Sequence, residues 1–316
     1  MKIIVTGGCG FIGSHLVDRL VELGHTVAVI DNLSTGREIF RNPKAVFHRA
    51  DIRDERIGRI FEQERPQVLF HLAAQINVRK STENPAADNE INVGGTISLI
   101  RAFLSCESDG EKKIVFSSTG GAIYGEQQSL PVSETVEPYP LCPYGISKLA
   151  VEKYLYYYWK MHGLKYLVLR YANVYGPRQN ALAEAGVVAI FARAMLRGEQ
   201  PVIFGDGEQT RDFVYVEDVV RANIMAMEHG EAGLSLNVGT GREVSVNEVF
   251  ARIAAAAGSK AERRHLPPKE GEVRRNALDN ELIGKVFDWK PTVRFDEGIS
   301  RTVAWFRENR LKEETG

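Results

Sequence analysis

The sequence predicts an α/β chain: a doubly wound parallel sheet over residues 1–170, then a smaller α/β domain filling most of 171–316. Three observations carry this reading. Short apolar runs alternate with longer amphipathic ones through the first half. A glycine-rich turn, Gly7–Gly13, joins the first such run to the first amphipathic stretch. After Arg170 clear strand–helix pairs thin out, and turn-rich segments such as Gly176-Pro177-Arg178 and Phe204-Gly205-Asp206-Gly207 take over.

Each element has its own warrant. Lys2–Thr6, Thr26–Ile30, Val46–His48, Val68–Leu72, Ile114–Ser117 and Tyr166–Arg170 are short runs of mostly Val, Ile, Leu and Phe. Such runs suit strands buried on both faces. Ser14–Leu23 puts Leu16, Leu20 and Leu23 on one helical face, with Gly24 as a stop. Gly95–Leu104 and Gly145–Met161 follow the same pattern. This alternation builds βαβ units. Val187–Arg197, Val216–Glu228 and Val246–Ala257 read as helices of the later region, where some segments are expected to return to the first domain. The charged tail Leu311–Gly316 is expected to fray.

Composition bounds the function. The chain has 316 residues, with 40 Lys+Arg against 41 Asp+Glu and a formal charge of −1. That balance offers no electrostatic case for nucleic acid or an anionic membrane surface. No apolar run approaches the roughly 18 residues of a membrane span. Cys9, Cys106 and Cys142 are odd in number and widely spaced, which suggests neither disulfides nor a metal knuckle. No secretory leader is read at the start, so the expected location is the cytoplasm.

Thr6-Gly7-Gly8-Cys9-Gly10-Phe11-Ile12-Gly13 follows a strand and opens a helix. Glycines let the backbone approach a pyrophosphate, and the helix N-terminus offers N–H donors and a positive dipole end. A tight turn without a ligand would show the same glycines. Context decides: Asp31 ends the second strand, about 20 residues on. Its carboxylate can accept both ribose hydroxyls and would repel a 2′-phosphate, so the expected cofactor is NAD rather than NADP. Cys9 is read as a small packing residue.

Tyr144 and Lys148 stand four apart at the start of a helix, with Pro143 at its first position. A phenol is a poor base at neutral pH, but an adjacent ammonium and the positive nicotinamide would favour the phenolate. The pair could then take a hydroxyl proton as hydride leaves. Ser117, Ser118 and Thr119 end a strand, where ligands bind in parallel sheets. Thr119 could relay that proton. By itself, Tyr-x-x-x-Lys is common helix decoration and the hydroxyls are ordinary turn residues.

Together these motifs, with Asp31-Asn32-Leu33, His71-Leu72-Ala73-Ala74 and Arg170-Tyr171-Ala172-Asn173-Val174-Tyr175-Gly176-Pro177, stand in one order along nearly the whole chain. The set resembles the extended short-chain dehydrogenase/reductases, in the NAD-dependent epimerase/dehydratase group, of the UDP-glucose 4-epimerase type. The resemblance implies a Rossmann domain with a smaller nucleotide-sugar domain, and assigns residues. Gly7, Gly10, Phe11, Ile12 and Gly13 would cradle the pyrophosphate. Asp31, Asn32 and Gly36 would hold the adenosine ribose, and Asp51 and Ile52 would flank the adenine. Leu72, Ala73, Ala74 and Gln75 would pass beneath the cofactor, with Asn92, Ser117 and Tyr171 beside it. Tyr144 would be the base, Lys148 its partner and a ribose ligand, and Thr119 the third catalytic hydroxyl. Asn173, Val188, Arg211 and Arg274 would meet the UDP moiety, the two arginines as a diphosphate clamp.

The implied reaction oxidises the sugar at C4, turns the keto sugar about its diphosphate linkage, and returns hydride to the opposite face. Relatives that eliminate or decarboxylate carry an acid after the catalytic threonine. Here Gly120-Gly121-Ala122 follows Thr119, which argues against both. Arg79 reads either as an outward charge or as a partner for a hexuronate carboxylate, so a UDP-glucuronate 4-epimerase is the alternative. Asn276, where glucose-restricted relatives place a bulky aromatic, would leave room for a 2-N-acetyl group and add UDP-GlcNAc/UDP-GalNAc. An NAD-sensing binding protein on the same scaffold is the non-enzyme reading, weakened because Thr119, Tyr144 and Lys148 are all present. A homodimer is expected by resemblance, through the helix carrying Tyr144, whose Tyr154, Tyr157, Tyr158 and Trp159 supply aromatic area.

Overall fold

The computed structural model describes residues 1–181, 186–268 and 273–309. A central sheet has seven strands: β1 (Lys2–Thr6), β2 (Thr26–Asp31), β3 (Val46–Arg49), β4 (Val68–His71), β5 (Lys113–Thr119), β6 (Lys165–Tyr171) and β7 (Leu234–Val238). Their spatial order is β7-β6-β5-β4-β1-β2-β3. The pairings β3–β2, β2–β1, β1–β4 and β4–β5 are all parallel. Every residue of β4 and nearly every one of β1 is buried, which is why these strands read as continuous apolar runs rather than alternating ones. Strand order reverses between β1 and β4, and ligands of such sheets lie outside the strand ends at that point.

The helix after β1 runs Phe11–Glu22, three residues earlier than the apolar face suggested, because Ser14 N–H already bonds the Gly10 carbonyl. Gly24, with φ at +81°, turns the chain out of it, past the cap residue Leu23. The helices Gly95–Ser105 and Pro143–His162 stand where periodicity placed them. The sequence reading lacked Ile57–Glu64 and Pro85–Asn89, and had Val78–Glu83 only as a helix beginning at Arg79. The last two are short and start at side-chain caps: Asn77 accepts from Lys80 N–H and Asn84 from Ala87 N–H. A π-helical turn, Glu90–Gly94, then leads into Gly95–Ser105.

The chain forms two compact units. The first comprises Met1–Ile123, Glu137–Arg170 and Val220–Leu236. The second comprises Tyr124–Val136, Tyr171–Val219 and Asn237–Gly316. In the second unit, helices Val187–Leu196, Val246–Ala257 and Phe295–Glu308 pack together, with Phe191 and Phe250 rings 5.7 Å apart. Three two-stranded pairs complete it, among them Asn173–Tyr175 with Phe213–Tyr215 and Thr210–Arg211 with Val244–Ser245. Asp212, fully buried, accepts from Thr240, Gly241 and Leu278 and so ties three loops together. The tail Leu311–Gly316 lies outside the described residues. No described helix is long and apolar enough to cross a membrane.

Candidate active site

The glycine loop is as tight as its sequence demands. Gly7 has φ +71°, and a Cβ there would stand 2.9 Å from the Ala73 nitrogen. A Cβ on Gly13 would stand 2.1 Å from the Gly7 carbonyl oxygen. The helix it opens, from Gly10 through Phe11 and Ile12, has no side-chain cap and no acidic residue in its first turn. The helix thus supplies no acid or cap of its own to its N-terminal N–H groups, which fits an anionic pyrophosphate.

Asp31 sits beside this loop, only 7% exposed. Its carboxylate accepts from Cys9 N–H at 2.9 Å and Leu33 N–H at 2.8 Å. Burial raises its pKa, and those two bonds act against the rise. Gly36 closes over it, since a Cβ there would be 2.9 Å from Oδ1. Asn32 Nδ2 donates to Asp51 at 2.8 Å, and Arg53 binds the same carboxylate and holds its pKa down to about 2. Ile52 is buried, and a Cβ on Gly95 would meet its Cδ1 at 2.6 Å. Thus Asp31, Asn32, Gly36, Asp51 and Ile52 form one end of the site. Cys9 is buried and its thiol is pushed up to about 12, chiefly by desolvation, as befits a packing residue.

At the same carboxyl end of β1 and β4, His71 lies wholly inside. Its ring bridges Thr6 Oγ1 and Thr96 Oγ1, each at 2.8 Å. Burial, reinforced by Lys148, lowers its pKa to about 3, so the ring is neutral at physiological pH. Sequence reasoning used His71 only as a motif letter; the strand pattern could have flagged a buried histidine but not its two partners. Leu72 N–H bonds the Thr6 carbonyl and Ala73 N–H bonds Thr6 Oγ1, each at 3.2 Å, so the following loop through Ala74 hangs directly on β1. Gln75 N–H then bonds Asn92 Oδ1 at 2.8 Å, and Asn92 Nδ2 returns to the Gln75 carbonyl at 2.9 Å.

Tyr144, Lys148 and Thr119 come together in the first unit. A Cβ on Gly145 would be 2.5 Å from the Ala122 carbonyl oxygen. That missing side chain lets the helix Pro143–His162 approach the turn after Thr119, which brings the Thr119 hydroxyl near the Tyr144 phenol. Lys148 is 3% exposed, donates to the Ser117 carbonyl at 2.9 Å, and stands 5.9 Å from the Tyr144 ring centroid. Desolvation lowers its pKa to about 8, while Asp88 and Glu152 oppose the fall. Tyr144 moves the other way: burial, with smaller contributions from Cys142 and Asp88, raises it well above an ordinary phenol, and the nearby Thr119 hydroxyl acts to lower it. The expected depression of the phenol by Lys148 is therefore not a property of the chain alone. Desolvation dominates in the chain alone, and a positive nicotinamide beside the phenol would act in the opposite direction.

Below this trio lies a buried ion pair that sequence reasoning missed. Arg170 Nη2 and Nε meet Glu152 at 2.6 and 3.1 Å, and Ser118 Oγ donates to the same carboxylate at 2.6 Å. Glu152 is four residues past Lys148, a spacing visible in the sequence, but its partner on β6 was not.

The remaining candidates divide. Asn173 bonds the Asp212 carbonyl through its backbone, and its Nδ2 is buried with no hydrogen-bond partner among the described residues. Arg211 Nη1 donates to the Thr210 carbonyl at 2.8 Å. Arg274 is about half exposed and makes a two-armed pair with Asp206, both arms 2.8 Å, which holds that carboxyl far below its usual range. Tyr171 and Asn276 are buried at 5% and 2% exposure, and Arg79 is exposed on Val78–Glu83. Val188 is fully buried, a core residue of the second unit rather than an exposed contact.

Comparison with known proteins agrees with this geometry. Residues 3–239 match the model of the NAD dependent epimerase/dehydratase family. The chain is similar to a UDP-glucose 4-epimerase of Mycolicibacterium smegmatis, 43% identical with 97% of this chain and 99% of that one covered. It superposes on the crystal structure of UDP-glucose 4-epimerase with UDP-glucose from Thermotoga maritima with a TM-score of 0.95, at 49% identity, covering 98% of this chain and all of that one. The Thermus thermophilus UDP-glucose 4-epimerase in complex with NAD gives a TM-score of 0.91 at 43% identity, covering 97% and 99%.

Proposed function

The chain belongs to the NAD dependent epimerase/dehydratase family, and from that premise we propose that it is an NAD-dependent UDP-glucose 4-epimerase with Thr119, Tyr144 and Lys148 as its catalytic residues. NAD, when bound, would supply a reversible hydride acceptor for the sugar C4. Gly7, Gly10, Phe11, Ile12 and Gly13 hold its pyrophosphate at a helix end, and Asp31 accepts its adenosine ribose hydroxyls. Tyr144 takes the C4 hydroxyl proton, directly or through Thr119, and gives it back after the keto sugar has turned. Lys148 holds positive charge beside the phenolate. Asn173, Arg211 and Arg274 are the candidates for the diphosphate. For Asn173, the buried, unpartnered amide nitrogen is the support: such a group costs free energy until an acceptor meets it.

One observation carries the reading: the Lys148 ammonium is buried 5.9 Å from the Tyr144 ring centroid, and the Thr119 hydroxyl is near enough to the phenol to lower its pKa. The test incubates purified protein with UDP-galactose and follows UDP-glucose. Interconversion that Tyr144→Phe leaves intact would remove the base assignment, and no interconversion by the wild type would remove the function. The buried amide at position 276, in place of an aromatic ring, supports acceptance of UDP-GlcNAc and UDP-GalNAc as well. Turnover of UDP-glucose with none of either N-acetyl sugar would overturn that. We further propose a cytoplasmic homodimer. Buried Cys9 and Cys106 and unpaired Cys142 suit a reducing compartment.

A further inference from the structure

Asp88 is 1% exposed and belongs to none of the roles above. It ends no motif and faces no solvent, yet three donors converge on it. Gln75 Nε2 and Asn92 Nδ2 reach Oδ1 at 2.8 and 3.1 Å, and Ser147 Oγ reaches Oδ2 at 2.6 Å. All three donate, so the carboxyl serves as an acceptor only, the role of the ionised form. The three donors come from the loop after β4, the π-helical turn Glu90–Gly94, and the helix Pro143–His162. Ser147 immediately precedes Lys148. A buried negative charge thus pins the cofactor loop to the first turns of the catalytic helix.

We propose that Asp88 is a positioning residue that clamps the loop 72–77 to the first turns of the catalytic helix and so holds a buried carboxylate beside the Tyr144–Lys148 pair. This rests on the reading of that pair as the acid–base machinery. The charges around the pair are few. Lys148 meets Asp88 from the helix Pro85–Asn89 and Glu152 from its own helix, with neutral His71 on β4. Tyr144 meets Cys142 and Asp88, with the Thr119 hydroxyl from β5 acting to lower its pKa. Among these, Asp88 acts on both members. Its charge keeps the lysine ammonium protonated against desolvation and resists ionisation of the phenol. Glu152 is committed to Arg170 and Ser118.

The sign follows. Removing the charge lowers both pKa values, so both limbs of the pH–rate profile move acidward together. Asp88→Asn is near-isosteric and keeps an oxygen for Gln75 and Asn92. In the NAD-loaded enzyme it is expected to shift both limbs of kcat down by roughly 1 pH unit, the low end for a nearby charge. Ser147→Ala and Asp88→Glu alter the clamp but keep the charge, and are expected to lower the plateau while both limbs stay in place. A profile of Asp88→Asn that only scales in height, or limbs that move in Ser147→Ala, overturns the proposal. If Asp88→Asn does not fold, the two charge-keeping variants carry the test, and a shift in either overturns it. Failure of the functional reading looks different, because the wild type would then show no epimerisation at any pH.

Discussion

Lys148 shows at the scale of one side chain how function opposes stability. An ammonium buried to 3% exposure is costly, and its pKa falls to about 8. A base with a depressed folded pKa destabilises the fold most below that pKa. The cost fades as pH rises from about 8 towards the unfolded value of about 10.4. Lys148→Met should therefore stabilise the cofactor-free chain at pH 7. The linkage amounts to about 3 kcal/mol, less about 1 kcal/mol for the Ser117 carbonyl left without its donor. Urea unfolding at pH 7 and at pH 10 checks this, and a gain that does not shrink at pH 10 would contradict it. Tyr144→Phe should lower kcat by roughly 10²–10⁴, the span of general acid–base catalysis, with little change in UDP-sugar binding. Steady-state kinetics beside calorimetric titration separates the two.

At the scale of elements, what matters is how closely backbones approach and what pins them. Gly13→Ala would drive a Cβ to 2.1 Å from the Gly7 carbonyl, so the loop must open. The expected outcome is protein that no longer retains NAD, read from the absorbance of cofactor released on denaturation. The pair Arg170–Glu152 joins β6 to the catalytic helix with side chains 7% and 5% exposed. Breaking it from one side leaves a buried charge and should cost about 3–5 kcal/mol. Replacing both, as Glu152→Leu with Arg170→Met, should recover most of that loss in denaturant midpoints. A double variant as unstable as the singles would mean that the ion pair is not the source of the cost.

At the scale of the molecule, charge and surface set behaviour in solution. With a net charge of −1 the chain offers no global field, so on the proposed reading an anionic substrate would depend on helix ends and individual arginines. On the catalytic helix, Ile146, Tyr156, Tyr157 and Met161 are 48–67% exposed. Tyr158, by contrast, is core, and Trp159 packs at 6.0 Å on Tyr166. The aromatic area offered to a partner is thus smaller and differently placed than the tyrosine-rich sequence suggests. A homodimer through this helix predicts a scattering mass near twice 35.2 kDa. Tyr157→Glu with Met161→Glu should return it to one chain's mass. A wild-type monomer would exclude the dimer.

Local chemistry made much of this legible from sequence alone. Runs such as Lys2–Thr6 and Val68–Leu72 can be little but buried strands, and the spacing of Gly7, Gly10 and Gly13 before a helix, with Asp31 beyond, encodes a nucleotide turn in backbone sterics. Tyr144 and Lys148 share a helix face by periodicity. Tertiary structure decided the rest, because those features depend on partners distant in the chain. It brought the Thr119 hydroxyl near the Tyr144 phenol, gave Glu152 its Arg170, and gathered Gln75, Asn92 and Ser147 around Asp88. It also reversed the expected direction for the Tyr144 phenol, since desolvation is a property of the packed interior and no spacing of residues along a chain expresses it.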